Sequence, residues 1–167
     1  MMVGMRIVTA AVLLATLAVA SAASAEDAPG FTVKLLDSKT TFDSRERLGK
    51  RPVVVRFQAS WCKPCAREAP GFVRLAERYR ARGVDFIAVH VQDTAANARR
   101  FVRTHRIAFP VALDPQLAIA NTFAFKGTPA TVVIDRKGAL AARIDGESAV
   151  TRLPRILDDV LRTDPAR

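Results

Sequence analysis

Cysteine is scarce in this sequence: Cys62 and Cys65 are the only two among 167 residues. A disulfide framework is excluded as the source of stability, and with 50% of residues apolar the chain can bury a core without one. Histidine is as scarce, with only His90 and His105. Their separation is too long for the usual histidine pair of a tetrahedral zinc site. The sequence also lacks an internal repeat and a low-complexity linker. Acidic residues are in deficit, 16 against 26 Lys and Arg, for a formal charge of +10. Such a balance suits nucleic acid or an anionic membrane surface when the charge is clustered. Here it is spread along the chain, which reads as solvated surface and no nucleic-acid partner; an acidic protein partner stays open.

The longest small-and-apolar run, Ile7 to Ala20, is short for a membrane span, which needs about 20 residues. It follows Arg6 and precedes Ser21-Ala-Ala-Ser-Ala25 and then Glu26-Asp27. A basic start, a short apolar core and a small-x-small end read as a secretory signal over residues 1–25, with cleavage after Ala25. The alternative is an uncleaved N-terminal anchor. No cysteine lies near the cleavage site, so no lipid attachment is expected there. Residues 26–167 then make one domain. It lies in the periplasm, or tethered to the outer face of the inner membrane, where disulfides form and persist.

Periodicity predicts alternating strands and helices. Phe31–Leu36 and Thr40–Phe42 form a short N-terminal hairpin around Asp37-Ser38. Pro52–Gln58 is a β-branched strand. A helix over about Cys62–Arg82 places Ala69, Phe72, Val73, Ala76 and Tyr79 on one face, with Arg67, Arg74, Arg78 and Arg82 opposite. Pro70 should kink it. Val84–Val91 reads as a strand buried on both faces, Ala95–His105 as a helix, Pro110–Leu113 as a strand and Gln116–Phe123 as a short helix. Ala130–Ile134 and Ala139–Ile144 form a hairpin about Asp135–Gly138, and Ala149–Leu161 is the last helix. This order implies an α/β fold with a mixed, mostly parallel sheet flanked by helices, and an antiparallel edge from the closing hairpin.

Two cysteines separated by two residues admit three readings. As a staple, so small a ring contributes only about 2 kcal/mol, against roughly 4.7 for a 100-residue loop. As a metal site, the pair lacks two further ligands for zinc. His90 is expected to end a strand and His105 a helix, where its partial charge suits the dipole. A two-thiolate Cu(I) site is harder to exclude, although no Met or His is close in sequence. As a reactive pair, the cysteines match the local physics. A buried strand runs into Cys62, where a helix begins, and the first turn of a helix offers unpaired N–H groups and partial positive charge. A thiolate is stabilised there, and Lys63 adds a full charge. Pro64 is accepted in a first turn and stiffens the ring. The i, i+3 spacing brings the sulfurs within bonding range. Cys62 is expected to be the exposed attacker and Cys65 the shielded partner.

Trp61-Cys62-Lys63-Pro64-Cys65 after a valine-rich strand resembles the active site of the thioredoxin superfamily. Cys65-Ala-Arg-Glu68-Ala-Pro70 is similar to its exported TlpA/ResA-like branch, as are Phe109–Asp114 and Phe125-Lys-Gly-Thr-Pro-Ala-Thr-Val-Val-Ile-Asp135. The resemblance covers roughly Phe31 to Leu161. It implies a thioredoxin-like three-layer sandwich with a central insertion over about Asp93–Leu113. It also implies a cis peptide bond at Pro129 facing the cysteines, and a substrate-docking role for Thr128, Pro129 and Trp61. Glu68 becomes a candidate proton donor or acceptor for the Cys65 thiol. Two positions depart from the pattern: Arg56 stands where Asp or Asn is common, and Gln58 where an aromatic is common. An unpaired buried arginine is costly, so Arg56 is expected to pair with Glu68 or else to snorkel to solvent.

The implied function is that of a monomeric exported thiol:disulfide oxidoreductase. It reduces disulfides of thiol-bearing exported proteins, in cytochrome c maturation or in preparing copper-site cysteines. Its electrons come from a membrane donor, and it needs no cofactor beyond the Cys62–Cys65 disulfide and no metal. A disulfide-donating oxidant is the rival with the same chemistry, and a copper carrier the rival of another class.

Overall fold

The computed structural model describes residues 26–163; the signal or anchor expected over residues 1–25 lies outside them. A hairpin of β1 (Thr32–Lys34) and β2 (Thr41–Asp43) opens the fold and leads through a 3-10 turn into β3 (Val53–Gln58). Then come α1 (Lys63–Arg80), β4 (Asp85–Val91), α2 (Ala95–His105), β5 (Val111–Asp114) and the short α3 (Ala118–Thr122). The chain closes with β6 (Ala130–Ile134), β7 (Leu140–Asp145) and α4 (Ala149–Thr163). The central sheet has the order β5-β4-β3-β6-β7. The parallel crossovers β3–α1–β4 and β4–α2–β5 build one half, and β6 runs antiparallel against β3 and against β7. The antiparallel part of the mixed sheet thus reaches its central strand and is not confined to the closing hairpin. The implied central insertion corresponds to α2 and β5.

Strand parity explains the layers. With β3 buried along its whole length, successive side chains must satisfy two different surroundings. Val53, Val55 and Phe57, with Ile87, Val89 and Val91 of β4, face a core closed by Phe31, Val33, Phe42, Ala120 and Phe123 from the hairpin and α3. Val54, Phe86, Ala88 and Val133 face the opposite core, closed by Phe72, Leu75, Ala76 and Tyr79 of α1 and by Leu153, Leu157 and Val160 of α4. Leu75 joins the expected α1 face, while Val73 packs only partly buried. α1 runs through Pro70 as one helix, with that proline exposed on its outer side.

The N-terminal segment meets each edge of the sheet at one end, pairing some of the open backbone groups there. The Leu36 N–H donates to the Val111 carbonyl (2.7 Å) along β5. Beside β7, the Ala28 N–H donates to Gly138 O and the Leu140 N–H to Glu26 O, each at 2.8 Å.

Candidate active site

The apolar content of the α1-facing surface ends toward the C-terminal ends of β3 and β4. After Val54 the next side chains on that face are Arg56 and Gln58; after Phe86 and Ala88 comes His90. Parallel pairing sets Gln58 beside His90, and antiparallel pairing sets Arg56 beside Thr131 of β6. A polar layer therefore lies at the sheet end that carries the cysteines, covered by the start of α1.

β3 continues through Ala59 into a turn closed by the Cys62 N–H on the Ala59 carbonyl (3.2 Å). Cys62 is the N-cap of α1, its Sγ accepting the Cys65 N–H at 3.1 Å. This donor is one of those a helix start leaves unpaired. Pro64 occupies the first turn without cost, and Lys63 is exposed. Cys62 and Cys65 are joined in a disulfide, with Cα atoms 5.2 Å apart.

The expected contrast in exposure between the two cysteines is absent. Cys62 is 3% exposed and Cys65 1%. Both sit in a small apolar cluster with Ala59, Ala69 and Phe101 of α2. The Cys62 sulfur is held inward by its bond to Cys65 and by the helix N–H. Trp61 faces solvent beside Lys63; it is 58% exposed, and its indole N–H donates to the Gln92 carbonyl at 3.2 Å. Beside Trp61 lies a cleft of about 390 Å³ between α1 and α2, lined by Ser60, Ala66, Asn97, Arg100, Phe101 and His105 among others.

Arg56 does not snorkel. It is 1% exposed, and its guanidinium donates to Glu68 Oε2 at 2.6 Å and to Thr131 Oγ1 at 2.9 Å, and lies over the Phe72 ring at 5.0 Å. Burial pushes this guanidinium below its ordinary pKa, and the Glu68 carboxylate opposes the shift. Glu68 thus sits one helical turn beyond Cys65, already engaged by a buried cation.

His90, expected to end a strand, is the penultimate residue of β4. It is fully buried, its Nε2 2.9 Å from Gln58 Nε2 and its Nδ1 2.9 Å from Asp93 Oδ2. Asp93 in turn accepts from the Ser60 N–H (2.7 Å), the Ser60 hydroxyl (2.8 Å) and the Thr94 N–H (2.9 Å). Burial lowers the His90 pKa and outweighs the attraction of Asp93. For Asp93, burial acts upward, but the bonds from His90, Ser60 and Thr94 together hold it below the usual carboxylate range. Burial thus disfavours a second proton on the imidazole, and the hydrogen bonds to Asp93 favour its ionised form. His105 ends α2 with its ring 4.3 Å from Phe101, and burial lowers its pKa too. Among the described residues no three His, Cys, Asp or Glu side chains converge as a metal site would require.

Asp93, Ser60 and Thr131 were given no role from the sequence, and His90 only that of ending a strand. For His90 and Thr131 the available signal was parity, a polar residue on the same face as apolar alternates of its strand; Ser60 and Asp93 lie beyond the ends of β3 and β4 and had none. Thr128 and Pro129 precede β6 at the sheet end of the cysteines, since Ala130 pairs with Phe57. The Thr128–Pro129 peptide bond is cis, and Pro129 is buried, its carbonyl accepting the Gly146 N–H at 2.8 Å. A buried disulfide capping a helix, with ionisable groups underneath and open surface on Trp61, is equipped for two-electron exchange between sulfurs.

A family model described as the AhpC/TSA family matches residues 25–143. The thiol-disulfide oxidoreductase ResA of Bacillus cereus is 31% identical over 135 residues, covering 81% of this chain and 77% of that protein. Among solved structures, a thiol:disulfide interchange protein of the thioredoxin family from Chlorobium tepidum superposes with a TM-score of 0.73. It is 29% identical, and the match covers 83% of this chain and 98% of that one. The structure of MTB DsbF in mixed oxidised and reduced forms gives a TM-score of 0.71 at 26% identity, covering 78% and 94%.

Proposed function

The chain belongs to the AhpC/TSA family and is a thioredoxin-like thiol-disulfide oxidoreductase of the ResA type; on that premise we propose that it works outside the cytoplasm, reducing disulfides of exported proteins. The observation that carries this reading is Cys62 Sγ at the N-cap of α1, accepting the Cys65 N–H while bonded to Cys65. In the reduced protein the same N–H and the helix start stabilise a Cys62 thiolate.

That thiolate attacks one sulfur of a substrate disulfide, and the second substrate sulfur leaves as a thiolate and takes up a proton. Cys65 gives up its proton, with Glu68 as the candidate acceptor, and attacks Cys62 Sγ. The remaining substrate sulfur leaves, the Cys62–Cys65 bond forms, and an electron pair has passed to the substrate. The Arg56–Glu68 contact keeps the carboxylate in place for this step. Thr128 and Pro129, at the same end of the sheet, dock an extended substrate segment, and Trp61 gives it an apolar contact beside the sulfur. Electrons return from a membrane donor, and the substrates are cysteine pairs of cytochrome c maturation or of copper sites.

The deciding measurement is the reduction potential of the pair, taken by equilibration with glutathione. A value near about −270 mV is expected of a reductant; one near about −120 mV would reassign the protein as a disulfide donor.

A further inference from the structure

We propose that Asp93, oriented by His90, is the positioning residue of the reactive turn: it fixes Ser60 and through it Cys62, and its buried charge biases the Cys62–Cys65 couple toward the disulfide. The inference rests on reading Cys62–Cys65 as the exchanging couple, and it names what sets that couple's direction.

The hydrogen-bond balance supports the first part. Asp93 meets three certain donors, the Ser60 N–H and hydroxyl and the Thr94 N–H. A carboxylate accepting three such bonds is ionised, so the fourth contact, His90 Nδ1, is a donor as well. In a neutral imidazole the other nitrogen must then accept, and Gln58 Nε2 is the donor placed for it. Every member of the chain Gln58–His90–Asp93–Ser60 has a hydrogen-bond partner, which pins the carboxylate in a single orientation. Ser60 stands two residues before Cys62, and the turn between them closes on Ala59. Trp61 is tied to Gln92, the neighbour of Asp93. The β4–α2 junction therefore holds the reactive turn at both Ser60 and Trp61.

The charge balance supports the second part. Arg56 and Glu68 neutralise each other beneath α1, and Lys63 is exposed to solvent. Burial disfavours a charge on His90, and among the described residues no Lys or Arg pairs with Asp93, whose carboxylate under the turn is met by the imidazole and by the Ser60 and Thr94 donors alone. A like charge disfavours a thiolate but not a neutral disulfide. A turn held rigid also raises the effective concentration of one sulfur at the other. Both effects favour the disulfide, and a couple that favours its disulfide is the better reductant.

The test equilibrates wild type and Asp93→Asn with glutathione at pH 7 and records the Tm of each redox form. Asp93→Asn is expected to shift the equilibrium toward the dithiol about tenfold, equivalent to about 30 mV, with the oxidised form losing more Tm than the reduced one. A residue that only supports the fold would destabilise both forms alike and leave the equilibrium within twofold of wild type; that result overturns the inference. If Asp93→Asn does not fold, Ser60→Ala decides, since it removes only the hydroxyl contact. A shift of about threefold in the same direction supports the role and no shift refutes it. A wild-type pair that fails to equilibrate with glutathione at all would instead sink the exchange reading itself.

Discussion

Arg56 shows most directly how one residue joins stability to chemistry here. Its guanidinium, itself buried, meets Glu68, Thr131 and the Phe72 ring. Removing one member of a buried ion pair strands the other, at a cost of about 3–5 kcal/mol. Arg56→Ala is therefore expected to lower the urea-unfolding free energy by that amount. Replacing both partners with apolar side chains of similar volume is often neutral, so Arg56→Met with Glu68→Leu should recover most of the loss. The double variant should nevertheless exchange with protein disulfides at least about 100-fold more slowly, the scale of a lost general base. Recovery of stability together with wild-type exchange would show the pair to be structural only. Cys62 makes a complementary point. Its place at a helix start was legible from the valine-rich strand before it and from Pro64 after it. Its burial was not, because Phe101, which closes over the cluster, comes from α2.

The helices divide the work between the two ends of the sheet. α1 contributes to both, carrying the cysteines at its start and Phe72, Leu75, Ala76 and Tyr79 into the larger core beyond. α4 contributes to that core alone, through Leu153, Leu157 and Val160. Leu153 is fully buried, and Leu153→Ala is expected to cost about 2–5 kcal/mol through lost contacts and the cavity left behind. Because its surroundings belong to a cluster separate from that of the cysteines, the glutathione equilibrium should stay within twofold of wild type. A large shift would mean that the two clusters act as one. The existence of α4 was evident from its periodicity. The antiparallel placing of β6 against β3 was not, since period-2 patterning specifies a strand and its faces but not its neighbour or direction.

For the molecule as a whole, the perturbed groups make a definite forecast for pH. His90 and His105 have folded pKa values held below the ordinary imidazole value by burial. The unfolded chain therefore binds their protons first as pH falls below about 6.5, and stability drops, by at most about 1.4 kcal/mol per pH unit for each. Asp93, also held below its ordinary value, adds a further loss in more acid solution, once pH falls below about 4. Tyr79 is raised, first by burial and then by its bond to Asp158, so stability declines again above about pH 10. Urea titrations from pH 5 to 9 should show a plateau from about 7 upward and a decline on the acid side, reduced in His90→Phe. A flat profile between pH 5 and 7 would mean that neither imidazole is buried in solution.

The chain's own order of residues was enough to place the cysteine pair at a helix start, to give the alternation of strands and helices, and to require that Arg56, if buried, find an acidic partner. Each of these depends on neighbours a few residues apart or on a cost that any buried charge incurs. Only the tertiary structure decided what lies beneath the turn. Asp93 and His90 reach it because β4 pairs in parallel with β3 in a register that sets His90 against Gln58. Side chains separated by some 30 positions become hydrogen-bond partners through that pairing, and no local pattern carries the information.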